Sequence, residues 1–190
     1  MPATLAWRLT PDTIAGDRHV QSSTTPQGVP TVSDRYFEDF KVGERFVSAG
    51  MTMTEAGIVE FARQWDPQPF HIDAEFAKQW QYGGLIASGL HTMCATLRLW
   101  LELGVFKACS LGSPGLGETQ FPRPVRPGDT IRVVTDIVEL RASASRPDRG
   151  ICRVRQVTMN QRGEHVMEQE TTIFLKRRIA AAPALAAQRG

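Results

Sequence analysis

The stretch Ser88-Gly89-Leu90-His91-Thr92-Met93-Cys94-Ala95-Thr96-Leu97-Arg98-Leu99-Trp100-Leu101 decides the fold. Leu90, Met93, Cys94, Leu97, Trp100 and Leu101 recur at steps of three and four, the period of a helix. Ala95, Leu99 and Leu103 add apolar surface around the rest of the cylinder. A helix apolar nearly all round is enclosed on most sides, so this one is expected at the centre of the domain. Its polar positions are His91, Thr92, Thr96, Arg98 and Glu102, the first two near its N-terminus.

The C-terminal part of the chain is suited to enclose that helix. Thr130 to Ala142, Ile151 to Met159 and Val166 to Lys176 are rich in Val, Ile, Thr and Phe and read as three long strands. Ser145 to Gly150 and Asn160 to Gly163 are turn chemistry between them, which makes the neighbours antiparallel. Pro122, Pro124 and Pro127 with Gly128 break the approach to the first strand. One enclosed helix succeeded by antiparallel strands long enough to curl round it is an α+β arrangement, the hot-dog architecture.

Ahead of the helix, Phe37, Phe40 and Val42 form an anchoring lead-in, and Arg45 to Thr52 reads as a strand. Thr54 is placed to cap a helix running through Ile58, Phe61, Ala62 and Trp65. The proline after Asp66 disfavours helical geometry there, so that helix should end at Asp66. Asp73 can cap a short helix through Ala74, Phe76, Ala77 and Trp80, which Gly83 and Gly84 stop. Asp66-Pro67-Gln68-Pro69-Phe70-His71 thus sets a carboxylate and an imidazole five residues apart across a bend bracketed by two prolines. Such a bend can turn both side chains toward one point, as exchanging protons with water and a carbon acid requires.

The chain has 190 residues, 42% hydrophobic and 22% charged, with a net charge of +2. That is globular composition, and the charge is too slight to argue for nucleic acid or an anionic membrane. One domain over 34–178 is expected, with an extension at 1–33 and an Ala-rich tail at 179–190. No run is apolar for the 18 or so residues needed to cross a bilayer. Cys94, Cys109 and Cys152 lack CxxC spacing, and no leader pattern is evident, so a reduced cytoplasmic setting is expected. Cys94 and Cys152 are expected to be small buried hydrophobes.

Three places in this chain, taken in order, resemble the MaoC-like acyl dehydratases, or (R)-specific enoyl-CoA hydratases, over roughly residues 35–177. Asp66 to His71 resembles the family's hydratase motif. Gly84 to Gly89, leading into Leu90-His91-Thr92, resembles its glycine turn into the central helix. Phe121 through Pro124-Val125-Arg126-Pro127-Gly128-Asp129 resembles its proline-rich lead into the sheet. The resemblance implies a hydro-lyase that adds water to a trans-2-enoyl-CoA, or removes it from the 3-hydroxy form, as a homodimer. It implies Asp66 and His71 as catalytic residues and the Gly89 amide as the oxyanion donor. No cofactor is implied beyond the coenzyme A of the acyl-CoA substrate. Characterised members often carry Asn where this chain has Gln68, and some support the histidine with a serine where this chain has Leu97.

The residues suit that chemistry. A carboxylate can deprotonate water, an imidazole with a reference pKa of about 6.5 can pass a proton at neutral pH, and an N–H opening a helix carries the helix dipole toward a developing oxyanion. Gln68, Ser88 and His91 join Gly89 as candidate substrate-binding residues. For Ser88 and His91 a second reading stands beside the first, a helix N-cap and a first-turn polar residue. His71, Asp73 and His91 lack the spacing of a metal site, so no metal is expected. Arg123, Arg126, Arg146 and Arg149 are candidates for coenzyme A phosphates. A hot-dog acyl-CoA thioesterase and a non-catalytic acyl-CoA-binding partner subunit are the alternative functions. A single-copy sheet leaves an edge and a helix face open, so a homodimer or higher homo-oligomer is expected, with each site near the subunit interface.

Overall fold

A computed structural model describes residues 35–178, so the expected extension and tail lie outside the described residues. A 3-10 turn, Phe37–Asp39, leads in. After it come β1 (Arg45–Val47), β2 (Met51–Thr52), α1 (Glu55–Trp65), α2 (Pro69–Ile72), α3 (Ala74–Gln79), α4 (Gly89–Glu102), β3 (Leu116–Gln120), β4 (Thr130–Ala142), β5 (Arg149–Met159) and β6 (His165–Lys176). The sheet is antiparallel in the order β1-β4-β5-β6-β3, with β2 also on β4. This is the α+β hot-dog fold.

The three long strands alternate along their length. Ile131, Val133, Thr135 and Ile137 of β4, Cys152 and Val154 of β5, and Ile173 and Leu175 of β6 are buried. The core they form is completed by Ala95, Leu99 and Trp100 of α4. Trp100 meets the rings of Phe46 and Phe106 edge-on at 5.9 and 5.2 Å, which fixes the C-terminal half of α4. Phe37 packs against Gly150, where a Cβ would overlap its ring.

Four expectations change. The strand expected over Arg45 to Thr52 is two short strands: at Ser48 the N–H still bonds the Val133 carbonyl, but the Val133 amide donates to the Ser48 hydroxyl. The bend before His71 is a helical turn, α2, with Pro69 in its first position, where the missing N–H costs nothing. Cys94 is exposed, while Cys109 and Cys152 are buried. Burial pushes those two thiols up to about 11 and about 12, so they are protonated and inert. Finally, the described residues enclose α4 on one side only. Leu90, Leu97 and Leu101 are at least half exposed and run with Cys94 down its outer face, because one sheet curls over one side of the helix.

Candidate active site

Three elements end at one place. α1 stops at Asp66, whose N–H still bonds the Ala62 carbonyl at 2.9 Å while its backbone leaves the helical region. The turn is closed by the Gln68 N–H on the Asp66 carbonyl at 2.8 Å, and α2 then carries His71 back over it. α4 begins at Gly89 behind its N-cap, Ser88. The Ile86 and Ala87 amides bond the Phe70 and Val125 carbonyls, tying the loop before α4 to α2 and to the proline-rich segment.

Asp66 and His71 face each other, with Oδ2 3.4 Å from Nε2. The other imidazole nitrogen, Nδ1, lies 2.8 Å from the Ile86 carbonyl oxygen. A carbonyl only accepts, so Nδ1 carries a proton, and Nε2 is the ring nitrogen turned to Asp66. In the neutral ring, Nε2 and Oδ2 are both acceptors. Two acceptors this close are reconciled by a proton on Nε2 or by a water that donates to both.

The carboxylate is held on both oxygens. Ser88 Oγ donates to Oδ2 at 2.6 Å and Gln68 Nε2 donates to Oδ1 at 2.8 Å. Burial alone would raise the Asp66 pKa, but these two hydrogen bonds and the neighbouring imidazole outweigh it and hold the carboxyl below its usual range. Ser88 serves both readings at once, since its oxygen also accepts the Leu90 N–H at 3.1 Å as a helix cap.

Gly89 opens α4, so its N–H has no carbonyl partner within the helix. The Phe121 ring lies against it, and a Cβ there would stand 3.1 Å from the ring carbons. Any side chain there would have to push the ring back, and the result is an amide at a helix N-terminus beside a carboxylate and an imidazole.

The family model described as MaoC like domain matches residues 39–159. This chain belongs to the MaoC-like family. A solved MaoC-like dehydratase from Rhodospirillum rubrum is 41% identical, with a TM-score of 0.72 over 77% of this chain and 99% of that one. The uncharacterised protein YdeM of Bacillus subtilis is 29% identical over 140 residues, 74% of this chain and 98% of YdeM. A mesaconyl-CoA hydratase of Cereibacter sphaeroides is 26% identical over 157 residues, 81% of this chain but 45% of that enzyme.

In this MaoC-like chain the structure brings Asp66, Gln68, His71, Ser88 and Gly89 together and sets His91 apart. The His91 ring stacks on Phe61 of α1, centroids 4.4 Å apart and planes within 5° of parallel. Its Nδ1 is buried without a partner among the described residues, and burial lowers its pKa, so the ring is neutral at pH 7. Asp73 is occupied as the α3 cap, accepting from the Glu75 and Phe76 amides. Among the described residues no three His, Cys, Asp or Glu side chains group to hold a metal ion, and no helix is long and apolar enough to cross a membrane. Of the four arginines, Arg149 is paired with Asp148 and Arg126 bonds the Tyr82 carbonyl. What sequence reasoning missed is the Ile86 carbonyl that orients His71. A backbone acceptor has no residue signature.

Proposed function

We propose that this chain is an enoyl-CoA hydratase, with 3-hydroxyacyl-CoA dehydration as its reverse reaction, and that Asp66, His71 and the Gly89 amide carry out the chemistry. The observation that carries the reading is the convergence of Asp66 Oδ2 and His71 Nε2, 3.4 Å apart, beside the first amide of α4. Water held by the pair adds its oxygen to C3 while Asp66 takes its proton. His71, protonated at Nε2, delivers a proton to C2. The electron pair of the double bond passes through the enolate, whose thioester oxygen accepts the Gly89 N–H. The proton on Asp66 then returns to Nε2 across the same contact, which restores both groups. Neither a metal nor a redox cofactor enters this cycle. The name of the Cereibacter relative supports a hydratase acting on a CoA thioester. Incubation with crotonyl-CoA tests the reading: the conjugated enoyl absorbance should fall with no release of free thiol.

The ionised form of Asp66 is the working base, so activity falls as pH drops through the pKa it has in the folded protein. That pKa is depressed, so the acid limb of kcat/KM should lie below the ordinary carboxylate value of about 3.9. Ser88→Ala removes a hydrogen bond to the charged form and leaves the opposing effect of burial, so the limb should move to higher pH. Stability follows the same sign. The contribution of Asp66 is present above its unfolded pKa and is lost as pH falls through the folded one. A pH profile of kcat/KM for both proteins checks the shift.

Two features support a homodimer. Leu90, Cys94, Leu97 and Leu101 leave an apolar stripe on α4, and among the described residues β3 pairs on one edge only, with β6. Such a stripe and such an edge are stabilised by a second copy. Sedimentation of the full chain should give twice the chain mass, and a folded, active monomer would remove this part of the reading.

A further inference from the structure

The space between α4 and the sheet is not uniformly apolar. Ser88, Thr92 and Thr96 lie four residues apart on one face of α4, exposed by only 1%, 2% and 0%. Their hydroxyls therefore track the helix for about 12 Å from the Asp66 partner Ser88, at 1.5 Å per residue. Thr96 Oγ1 ends the run 2.8 Å from Thr158 Oγ1 of β5. Two residues along the same face of β5 is Gln156, which the ladder sets opposite Thr135 of β4 and Gln169 of β6. Gln169 Nε2 donates to Gln156 Oε1 at 2.6 Å, and Gln156 Nε2 donates to Thr135 Oγ1 at 3.3 Å.

Beside these bonds lie unused groups. Gln169 Oε1 and, two residues on along the same face of β6, Thr171 Oγ1 are buried without a partner among the described residues. Their side chains belong to residues only 6% and 9% exposed. Nearly all such atoms in folded proteins find a partner, because an orphan forfeits its hydration for nothing. The pair is close to the candidate site by a second route. Gln169 is opposite Thr119 of β3, and two residues later the Phe121 ring covers Gly89.

We propose that Gln169 and Thr171 select the acyl group, taking a neutral hydrogen-bonding substituent such as a hydroxyl or primary amide on the tail of the thioester. This rests on the hydratase reading and extends it from reaction to substrate class. The tail would run from Gly89 along the Thr92 and Thr96 face. The Gln169 amide nitrogen is turned to Gln156, which leaves the oxygen, an acceptor, for a ligand, whereas the Thr171 hydroxyl can donate. A hydroxyl or carboxamide gives a proton to the first and takes one from the second. A carboxylate has no proton for Oε1, and no Lys or Arg is buried among the described residues to neutralise it. A plain alkyl end leaves both atoms unpaired.

The test compares two trans-2-enoyl-CoA substrates of about eight carbons, the reach of two helical turns, one ending in a hydroxyl and the other in a methyl group. The unaltered protein should favour the hydroxyl-ended substrate about tenfold in kcat/KM, the worth of one well-made hydrogen bond. Gln169→Leu and Thr171→Val, both close in shape to the native residues, should each turn the preference toward the alkyl chain. Thr171→Val should not lower Tm, since it removes only an orphaned group, whereas Gln169→Leu also takes the donor away from the buried Gln156 Oε1 and should lower it. Calorimetric binding of the matching saturated acyl-CoAs gives the same comparison without turnover. An alkyl preference in the unaltered protein, or a ratio that neither substitution changes, overturns the assignment and leaves both atoms to internal water. Crotonyl-CoA, too short to reach the pair, reports the reaction separately. Its turnover without a hydroxyl preference refutes only the acyl assignment, and absence of any turnover refutes the hydratase reading.

Discussion

Asp66→Asn should lower kcat on crotonyl-CoA by about 10² to 10⁴, the usual contribution of a positioned acid or base, while the protein stays folded. The substitution keeps size and shape but removes the anion that takes the proton from water. It also upsets the hydrogen bonding, because the carboxylate now accepts from Ser88 on one oxygen and from Gln68 on the other. An amide offers one oxygen and one N–H₂, so one of the two donors must turn away. Ser88 can reorient, although its oxygen already accepts from Leu90. The expected signature is a collapse in kcat with a modest change in Tm, read by steady-state kinetics and thermal unfolding. Activity within a few-fold of the unaltered protein would remove Asp66 from the mechanism.

His71→Ala should cost as much in turnover and more in stability. The imidazole is 4% exposed and gives its Nδ1 proton to the Ile86 carbonyl. Truncation leaves that carbonyl without its donor and opens a void beneath Phe70, whose ring meets the imidazole 4.5 Å away. A buried group left unpaired costs about 1 to 3 kcal/mol, so Tm should fall more than in Asp66→Asn. Loss of turnover in both variants, with a larger loss of Tm in this one alone, separates proton transfer from packing. Retained turnover in His71→Ala would contradict its role.

The parts of the fold that were legible in the sequence are those where local chemistry and tertiary context agree. The β-branched runs of β4, β5 and β6 are bounded by turns such as Asn160 to Gly163, where Gly163 takes a positive φ. Thr54, Asp73 and Ser88 each cap the helix they precede with a side-chain oxygen. β3 was not legible. Leu116-Gly117-Glu118-Thr119-Gln120 has no β-branched alternation, and it is a strand because β6 offers a free edge. Gly117 belongs to that pairing, since a Cβ there would stand 2.5 Å from the Glu170 carbonyl oxygen.

At the site, Asp66 and His71 could be named from their spacing because α1 must stop before Pro67 and Pro69 starts a new helical turn. The role of Gln68 could not. It donates to Asp66 across a two-residue turn, which its long side chain reaches only once the turn has formed. The exposure of Cys94 was hidden for a different reason. Helical periodicity finds an apolar stripe but does not say which stripe the chain's own sheet covers.

Turnover of crotonyl-CoA in oxygen-18-labelled water, with mass spectrometry of the product, tests the central claim most directly. Addition of the water held between Asp66 and His71 predicts one labelled oxygen at C3 of a 3-hydroxyacyl group still joined to coenzyme A. Label in a released carboxylate, with free thiol and no labelled hydroxyl at C3, would contradict the account and identify a thioesterase.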